Sequence, residues 1–189
     1  MKTLFLSLYT LLLIANLSFA QISTKDSLEE HTGIVYGKDH AFSVTAPKGW
    51  VLDNSSGVSQ GLHAVFYPEG GSWKNSTTVM YVITASKELK GNETIESLIS
   101  YDSLNFLQNI DNGEIKDLPN LITGDKKEAR VLGFIYSNFE LVAYIDEPKI
   151  VSLITMTSRN EEDYKNSVDA FNELVKSYYF ITTDVEFNK

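Results

Sequence analysis

Residues 128–157 read EARVLGFIYSNFELVAYIDEPKIVSLITMT, and this stretch decides the fold. It holds three runs rich in apolar and β-branched residues, at roughly 128–137, 139–146 and 150–157. The links between them, Ser137-Asn138 and Glu147-Pro148-Lys149, are two and three residues long. Links this short join antiparallel neighbours, because a parallel return needs about a dozen residues or more. The stretch therefore predicts an antiparallel meander of three strands.

More strands are predicted on either side of the meander. Residues 42–46 alternate between apolar and hydroxyl side chains, which is typical of a half-buried strand. A second strand is predicted at 62–67 and a short one near 114–116. Residues 78–84, TVMYVIT, are almost continuously apolar. We expect this last strand to be covered on both faces and to form the centre of the sheet.

Two helices are predicted from apolar residues spaced three and four apart. The first spans about 93–110 with Asn92 as its N-cap, and Asp102 falls on its apolar stripe between Leu98 and Phe106. The second begins at a capping box over 158–161 and continues to Tyr178. The order of strands and helices predicts an α+β fold, a mostly antiparallel sheet with helices packed on its faces.

Composition narrows the possible partners and chemistry. The chain has 189 residues, 25 of them acidic and 16 basic, with a net charge of −9. Nucleic acid is not expected as a partner, because its phosphates repel an acidic surface. The absence of cysteine excludes disulfides, thiol catalysis and thiolate metal sites.

The N-terminal residues predict export. Lys2 supplies a positive start and residues 4–17 an apolar run. Ser18-Phe19-Ala20 then forms the small-x-small motif that precedes a signal-peptide cleavage site. We predict a signal peptide at 1–20 that is cleaved after Ala20, a flexible lead-in at 21–32 and one globular domain at 33–189. The apolar run is shorter than the roughly 20 residues that span a bilayer. We therefore expect a bacterial periplasmic or secreted protein, with neither a membrane span nor a lipid anchor.

The segment 42–50, FSVTAPKGW, resembles the opening signature of the Mog1/PsbP-like superfamily, a strand that closes in Pro-x-Gly-Trp. Its turn residues reverse the chain, and Trp50 is expected to be a large apolar anchor at the edge of the core. The resemblance implies a layered sheet with helices on both sides, from Gly33 to about Tyr179. It also implies a function without catalysis, because members of the superfamily are mostly non-enzymatic. They include accessory subunits of the oxygen-evolving photosystem, a Ran-binding protein and many exported bacterial proteins. No shared catalytic set can be transferred. A photosynthetic role is not supported, since no thylakoid targeting is recognisable.

Residues 57–61, GVSQG, match the Gly-x-Ser-x-Gly nucleophile elbow. A hydrolase could use Ser59 as the nucleophile and His63 as the base. However, a turn cluster precedes the motif and a strand is predicted after it, whereas the elbow requires a strand followed by a helix. A glycine-containing loop is the interpretation we favour, so no catalytic residue is assigned.

The segment 68–73, PEGGSW, is the candidate binding loop. Its two glycines let the backbone approach a ligand, and an indole on a polar loop can recognise a partner or ligand. The indole of Trp73 could instead fold back onto the sheet, which is the interpretation we favour. We predict that neighbouring aromatic and polar side chains form a cleft at one end of the sheet. The candidate residues are His63, Tyr67, Glu69, Gly70, Gly71 and Trp73.

Other chemical groups are interpreted as structural or solvated. The histidines at 31, 40 and 63 match no zinc spacing, so neither a metal nor a cofactor is predicted. Paired helix carboxylates such as Glu96 and Asp102 could serve as general acid and base but are expected to face water. Arg130 and Arg159 could hold an anionic group, although structural ion pairs are favoured. The leading hypothesis is an exported, non-catalytic binding or accessory domain for a protein partner or small ligand. The alternatives are a serine hydrolase and an envelope-interaction protein without a ligand pocket.

Overall fold

The computed structural model describes residues 31–185, so the predicted signal peptide and the lead-in up to residue 30 lie outside the described residues. Ten strands and two helices are present in this part of the chain. The strands are β1 (Thr32–Gly37), β2 (His40–Thr45), β3 (Trp50–Asp53), β4 (Ala64–Pro68), β5 (Thr78–Ser86), β6 (Glu114–Ile122), β7 (Glu128–Ile135), β8 (Phe139–Asp146), β9 (Ile150–Ser158) and β10 (Tyr179–Thr182). The helices are α1 (Ile95–Asn109) and α2 (Glu161–Ser177), and a 3-10 turn occupies Val58–Gln60.

The predicted meander is confirmed. β7 pairs with β8 and β8 with β9, both antiparallel, so that Leu132 lies opposite Val142 and Val142 opposite Thr155. The second hairpin is closed by the expected link at 147–149, whereas the first is closed by residues 136–138, one residue more than expected, because β7 ends at Ile135. The α+β class and the mostly antiparallel pairing are confirmed with it.

The strand at the centre of the large sheet is β9 rather than β5. Seven strands lie in the order β3-β4-β5-β9-β8-β7-β6, all antiparallel. Residues 150–156 of β9 are all buried. In β5 only alternate residues from Thr78 to Val82 are buried. The expectation that β5 is covered on both faces is therefore wrong, and one of its faces is partly open.

A second sheet of three strands, β1-β2-β10, was not expected from the sequence. Its inner face joins the main core through Val35, Phe42 and Val44. The pairing of Phe180 with Phe42 brings together residues far apart in the chain. Local periodicity carries no information about a partner at that distance, which is why β10 was missed.

Helix α2 covers one face of the large sheet. Phe171, Leu174 and Val175 are completely buried against that face, and Tyr178 extends the same row just after the helix. Trp50, which the sequence predicts as an apolar anchor, is 7% exposed in this core. The second predicted helix thus makes the main contact between helix and sheet.

Several boundaries differ from the expected ones. The N-cap of α1 is Thr94 rather than Asn92, because Thr94 and Ser97 exchange side-chain hydrogen bonds with each other's backbone N–H. The N-cap of α2 is Asn160, whose side chain accepts a hydrogen bond of 2.8 Å from the backbone of Asp163. The short strand expected near 114–116 extends to Ile122, with a register shift between Leu118 and Leu121.

Helix α1 covers only part of the opposite face. Ile95 and Leu98 are its buried residues, and they pack on a second cluster that includes Phe134, Val142 and Leu153. Outward-facing apolar residues explain why the helix is weakly amphipathic. These exposed residues are Tyr101, Leu104 and Leu107. The remainder of the second sheet face is left open.

We predict that Phe171→Ala destabilises the protein by about 3–5 kcal/mol, because it removes a fully buried aromatic ring and leaves a cavity. Leu104→Ala on the exposed side of α1 is the matched control, with an expected change within about 0.5 kcal/mol. Urea denaturation followed by circular dichroism measures both. Equal effects of the two variants would contradict the assignment of α2 as the main core helix.

Candidate functional site

The open face of β5 forms the floor of a groove. Val79, Tyr81 and Ile83 point to this face, while Met80 and Val82 point into the core under α2. The groove has a volume of about 820 Å³ and is open to solvent. This apolar strand face lies outside the core under α2, although Ile83 packs partly against the second cluster, and it is available to a ligand.

Trp73 forms one wall of this groove. Its indole packs edge-on against the ring of Tyr81, with centroids 6.2 Å apart and planes at 86°. The preceding turn reverses the chain, and Gly70 takes a φ of 78° that favours glycine. Backbone hydrogen bonds from Asn75 and Ser76 to the Ser72 carbonyl then close the loop. The loop sequence thus places the indole beside β5.

Two cationic side chains, Lys74 and Arg159, also line the groove. Neither takes part in any of the ion pairs found among residues 31–185. Arg130, in contrast, lies 3.8 Å from Asp117, as expected of a structural ion pair. Arg159 directly follows β9, and its backbone N–H donates to the Thr77 carbonyl. Its expected ion pair is not found with any residue of 31–185.

A smaller cavity of about 270 Å³ adjoins the groove beneath the C-terminal half of α1. The cavity and the groove share Tyr81 and Ile83. The rings of Phe106 and Phe134 meet at its wall with centroids 5.1 Å apart. Aromatic side chains from one helix and three strands therefore line it, and it is open to solvent. They are Tyr81, Phe106, Phe134 and Tyr144.

Two carboxylates reach into this cavity. Asp102 accepts a hydrogen bond of 3.0 Å from the hydroxyl of Tyr144, and burial raises the pKa of Asp102 above its ordinary value. Glu140 accepts a hydrogen bond of 2.8 Å from the hydroxyl of Tyr136. Burial, and then the nearby Glu140 charge, raise the pKa of Tyr81 to about 12. The phenols thus stay neutral and act as hydrogen-bond donors at physiological pH.

The structure brings one of the six predicted site residues, Trp73, into the groove lining. Tyr67 instead donates a hydrogen bond of 3.2 Å to Asp53, and His63 lies beside His40 with ring centroids 6.1 Å apart. The other three, Glu69, Gly70 and Gly71, are exposed. Whether these six residues bind a ligand stays a prediction.

Ser59 lies in the exposed 3-10 turn Val58–Gln60, which is followed by β4 rather than by a helix. Within the described part of the chain, no hydrogen bond joins Ser59 to His63. The preceding Asp53 carboxylate accepts hydrogen bonds from the backbone and hydroxyl of both Ser55 and Ser56, as in a polar turn. The geometry of a nucleophile elbow is not formed here.

Among residues 31–185, no group of three or more His, Asp or Glu side chains is placed to hold a metal ion. No helix in the same range has the length and apolar character that crossing a membrane requires.

Sequence reasoning missed most of the groove and cavity residues. Asp102 was expected to face water, and the structure turns it inward onto Tyr144. Its position on the apolar stripe of α1 was a usable signal, because a carboxylate on a core-facing stripe requires a polar partner. Glu140 and Tyr144 gave no such signal, since their surroundings depend on how β8 is paired.

Comparisons with known proteins agree with the observed architecture. No protein-family model and no curated protein matches this chain. Among solved structures, the chain is similar to cyanobacterial PsbP (CyanoP) from Synechocystis sp. PCC 6803, with 14% identity and a TM-score of 0.52 over 80% of this chain and 94% of that one. It is also similar to LpqN of Mycobacterium tuberculosis, with 12% identity and a TM-score of 0.52 over 82% and 95%.

A match to the Ran-binding protein Mog1p of Saccharomyces cerevisiae has 11% identity and a TM-score of 0.45, over 80% of this chain and 95% of that one. The similarity to the first two structures confirms the Mog1/PsbP-like resemblance at the level of the fold.

We predict that Asp102→Asn raises the free energy of unfolding at neutral pH. The raised pKa means that burial disfavours the carboxylate, and an amide oxygen can still accept the hydrogen bond from Tyr144. The stability that the wild type has at low pH should decrease as pH rises through the raised pKa. The variant should not show this decrease, so the two proteins converge near the ordinary pKa of aspartate.

Urea denaturation at a series of pH values measures this difference. The exposed Asp169→Asn on α2 serves as the control and should follow the wild type at every pH. A loss of stability in Asp102→Asn at neutral pH would show that the carboxylate is favourably placed and contradict the prediction.

Proposed function

We propose that this protein is an exported, non-catalytic binding protein whose ligand is a small amphipathic molecule held in the groove over β5. The main observation in support of this proposal is the open apolar face of β5. Val79, Tyr81 and Ile83 lie side by side with Trp73 at their edge, outside the core that α2 covers. Apolar and aromatic linings of this kind supply most of the binding energy in small-molecule sites.

The charges in the groove indicate which group of the ligand is polar. The chain as a whole is acidic, with a net charge of −9, yet Lys74 and Arg159 both line this groove. Cations without carboxylate partners keep their capacity to bind an anion, and arginine binds carboxylate or phosphate in a bidentate way. We infer that the ligand carries an anionic group at this end and an apolar body along β5.

Export remains part of the proposal and rests on the predicted signal peptide. One protein of the same fold, LpqN, is involved in cell envelope biogenesis. A role in the cell envelope is compatible with a chain that is predicted to leave the cytoplasm. Such a role is also compatible with the binding of an amphipathic molecule.

The probe that tests the proposal is 1-anilinonaphthalene-8-sulfonate, an aromatic molecule with one anionic group. The chain has two tryptophans, and Trp50 is buried in the core, so a ligand in the groove should change mainly the emission of Trp73. We predict saturable binding with energy transfer from Trp73. Lys74→Ala with Arg159→Ala should weaken the affinity roughly tenfold or more, since loss of a charge-assisted contact costs about 1.5 kcal/mol or more.

The control addresses apolar surface elsewhere, because this probe binds many exposed patches. Ile34 and Tyr179 are 63% and 54% exposed on the outer face of the small sheet. Ile34→Ser with Tyr179→Ser should leave the probe affinity unchanged, whereas Trp73→Ala should reduce it. The opposite pattern would place the probe on the small sheet and overturn the proposal.

A further inference from the structure

The cavity beneath α1 differs in chemistry from the groove that it adjoins. Two cationic side chains line the groove, whereas the charged side chains that line the cavity are the carboxylates of Asp102 and Glu140. Aromatic rings form much of the remaining wall. The two regions are therefore suited to different chemical groups.

Neither carboxylate has a cationic partner among the ion pairs found between residues 31 and 185. Each accepts a hydrogen bond from a tyrosine hydroxyl, which satisfies one acceptor without balancing the charge. Glu147, which is fully buried, is paired with the ammonium of Lys127, whereas the partly buried Asp102 and Glu140 have only tyrosine partners within the part of the chain that the structure describes. The contrast singles out the Asp102 and Glu140 pair.

Asp102 and Glu140 are partly buried, and two like charges beside an apolar wall favour a cationic ligand over a neutral or anionic one. The cavity admits a cation, because it opens to solvent beside the groove. Its volume of about 270 Å³ is close to the lower end, about 300 Å³, of small-molecule sites. The space is therefore suited to a small organic group.

The aromatic walls select the kind of cation. Ring faces carry partial negative charge and attract ammonium groups, most strongly when the cation is poorly hydrated and its carbon atoms contact the ring. Calcium would require about six to eight oxygen ligands, and magnesium a near-octahedral set, which two carboxylates among aromatic rings do not supply. An alkylated ammonium group satisfies both features of the cavity.

We propose that the cavity lined by Asp102, Glu140, Tyr81, Tyr144, Phe106 and Phe134 binds a small organic cation of the quaternary ammonium class. The carboxylates supply the counter-charge and the rings contact the alkyl groups. This site goes beyond the proposed function, because it uses neither Lys74 nor Arg159. It is continuous with the groove only through Tyr81 and Ile83.

The test compares choline with 3,3-dimethylbutan-1-ol, which has the same shape without the charge. Titration of the full mature chain followed by NMR should show saturable binding of choline, with the alcohol at least tenfold weaker. Asp102→Asn and Glu140→Gln should each lower the choline affinity roughly tenfold and leave the alcohol unchanged. Tyr81→Phe keeps the ring and should retain choline binding, whereas Tyr81→Ala should lose it.

The fluorescent sulfonate separates failure of this site from failure of the groove. Asp102→Asn and Glu140→Gln should still bind that probe, which shows that they fold and that the groove is intact. Equal affinity for choline and the alcohol, or no choline binding by the wild type, would overturn the cation site. Choline binding without sulfonate binding would instead overturn the proposed groove function and leave the cation site supported.

Discussion

The structure depends on the contact between α2 and one face of the large sheet. The buried row from Phe171 to Val175 continues into Tyr178, whose ring packs on Phe42 with centroids 4.8 Å apart. The hydroxyl of Tyr178 bonds to Ser152 at 3.0 Å and to Glu147 at 3.1 Å, so its polar atom is satisfied inside the core. Burial raises the pKa of Glu147, while Lys127 opposes this effect. Tyr178 therefore links α2, the central strand β9 and the small sheet.

Coverage of the large sheet is unequal as a consequence. One face is closed by α2 and the inner side of the small sheet, and the other is covered only where α1 lies. Apolar surface on β5 that remains in contact with water is unfavourable by roughly 25 cal/mol for each Å². Such a surface next to an aromatic wall is a common property of ligand sites, which is why the groove carries the functional proposal.

The electrostatics divide the open face into two regions. Lys74 and Arg159 make one region suited to an anionic group, although the chain as a whole is acidic. Asp102 and Glu140 make the adjoining cavity suited to a cationic one. The two regions share Tyr81 and Ile83 but differ in the charged side chains that line them.

The sequence by itself determined the local elements: short links required the meander over 128–157, apolar spacing located both helices, and the Pro-x-Gly-Trp turn placed Trp50 in the core. These features depend on residues close together in the chain. Only the tertiary structure decided that β9 is central, that β10 joins β2 and that Asp102 meets Tyr144, because distant segments form those contacts. It also decided which face of β5 stays open. The nearly continuous apolar run of β5 predicts that both of its faces are buried. Only the position of α1 determines how much of the second face is covered.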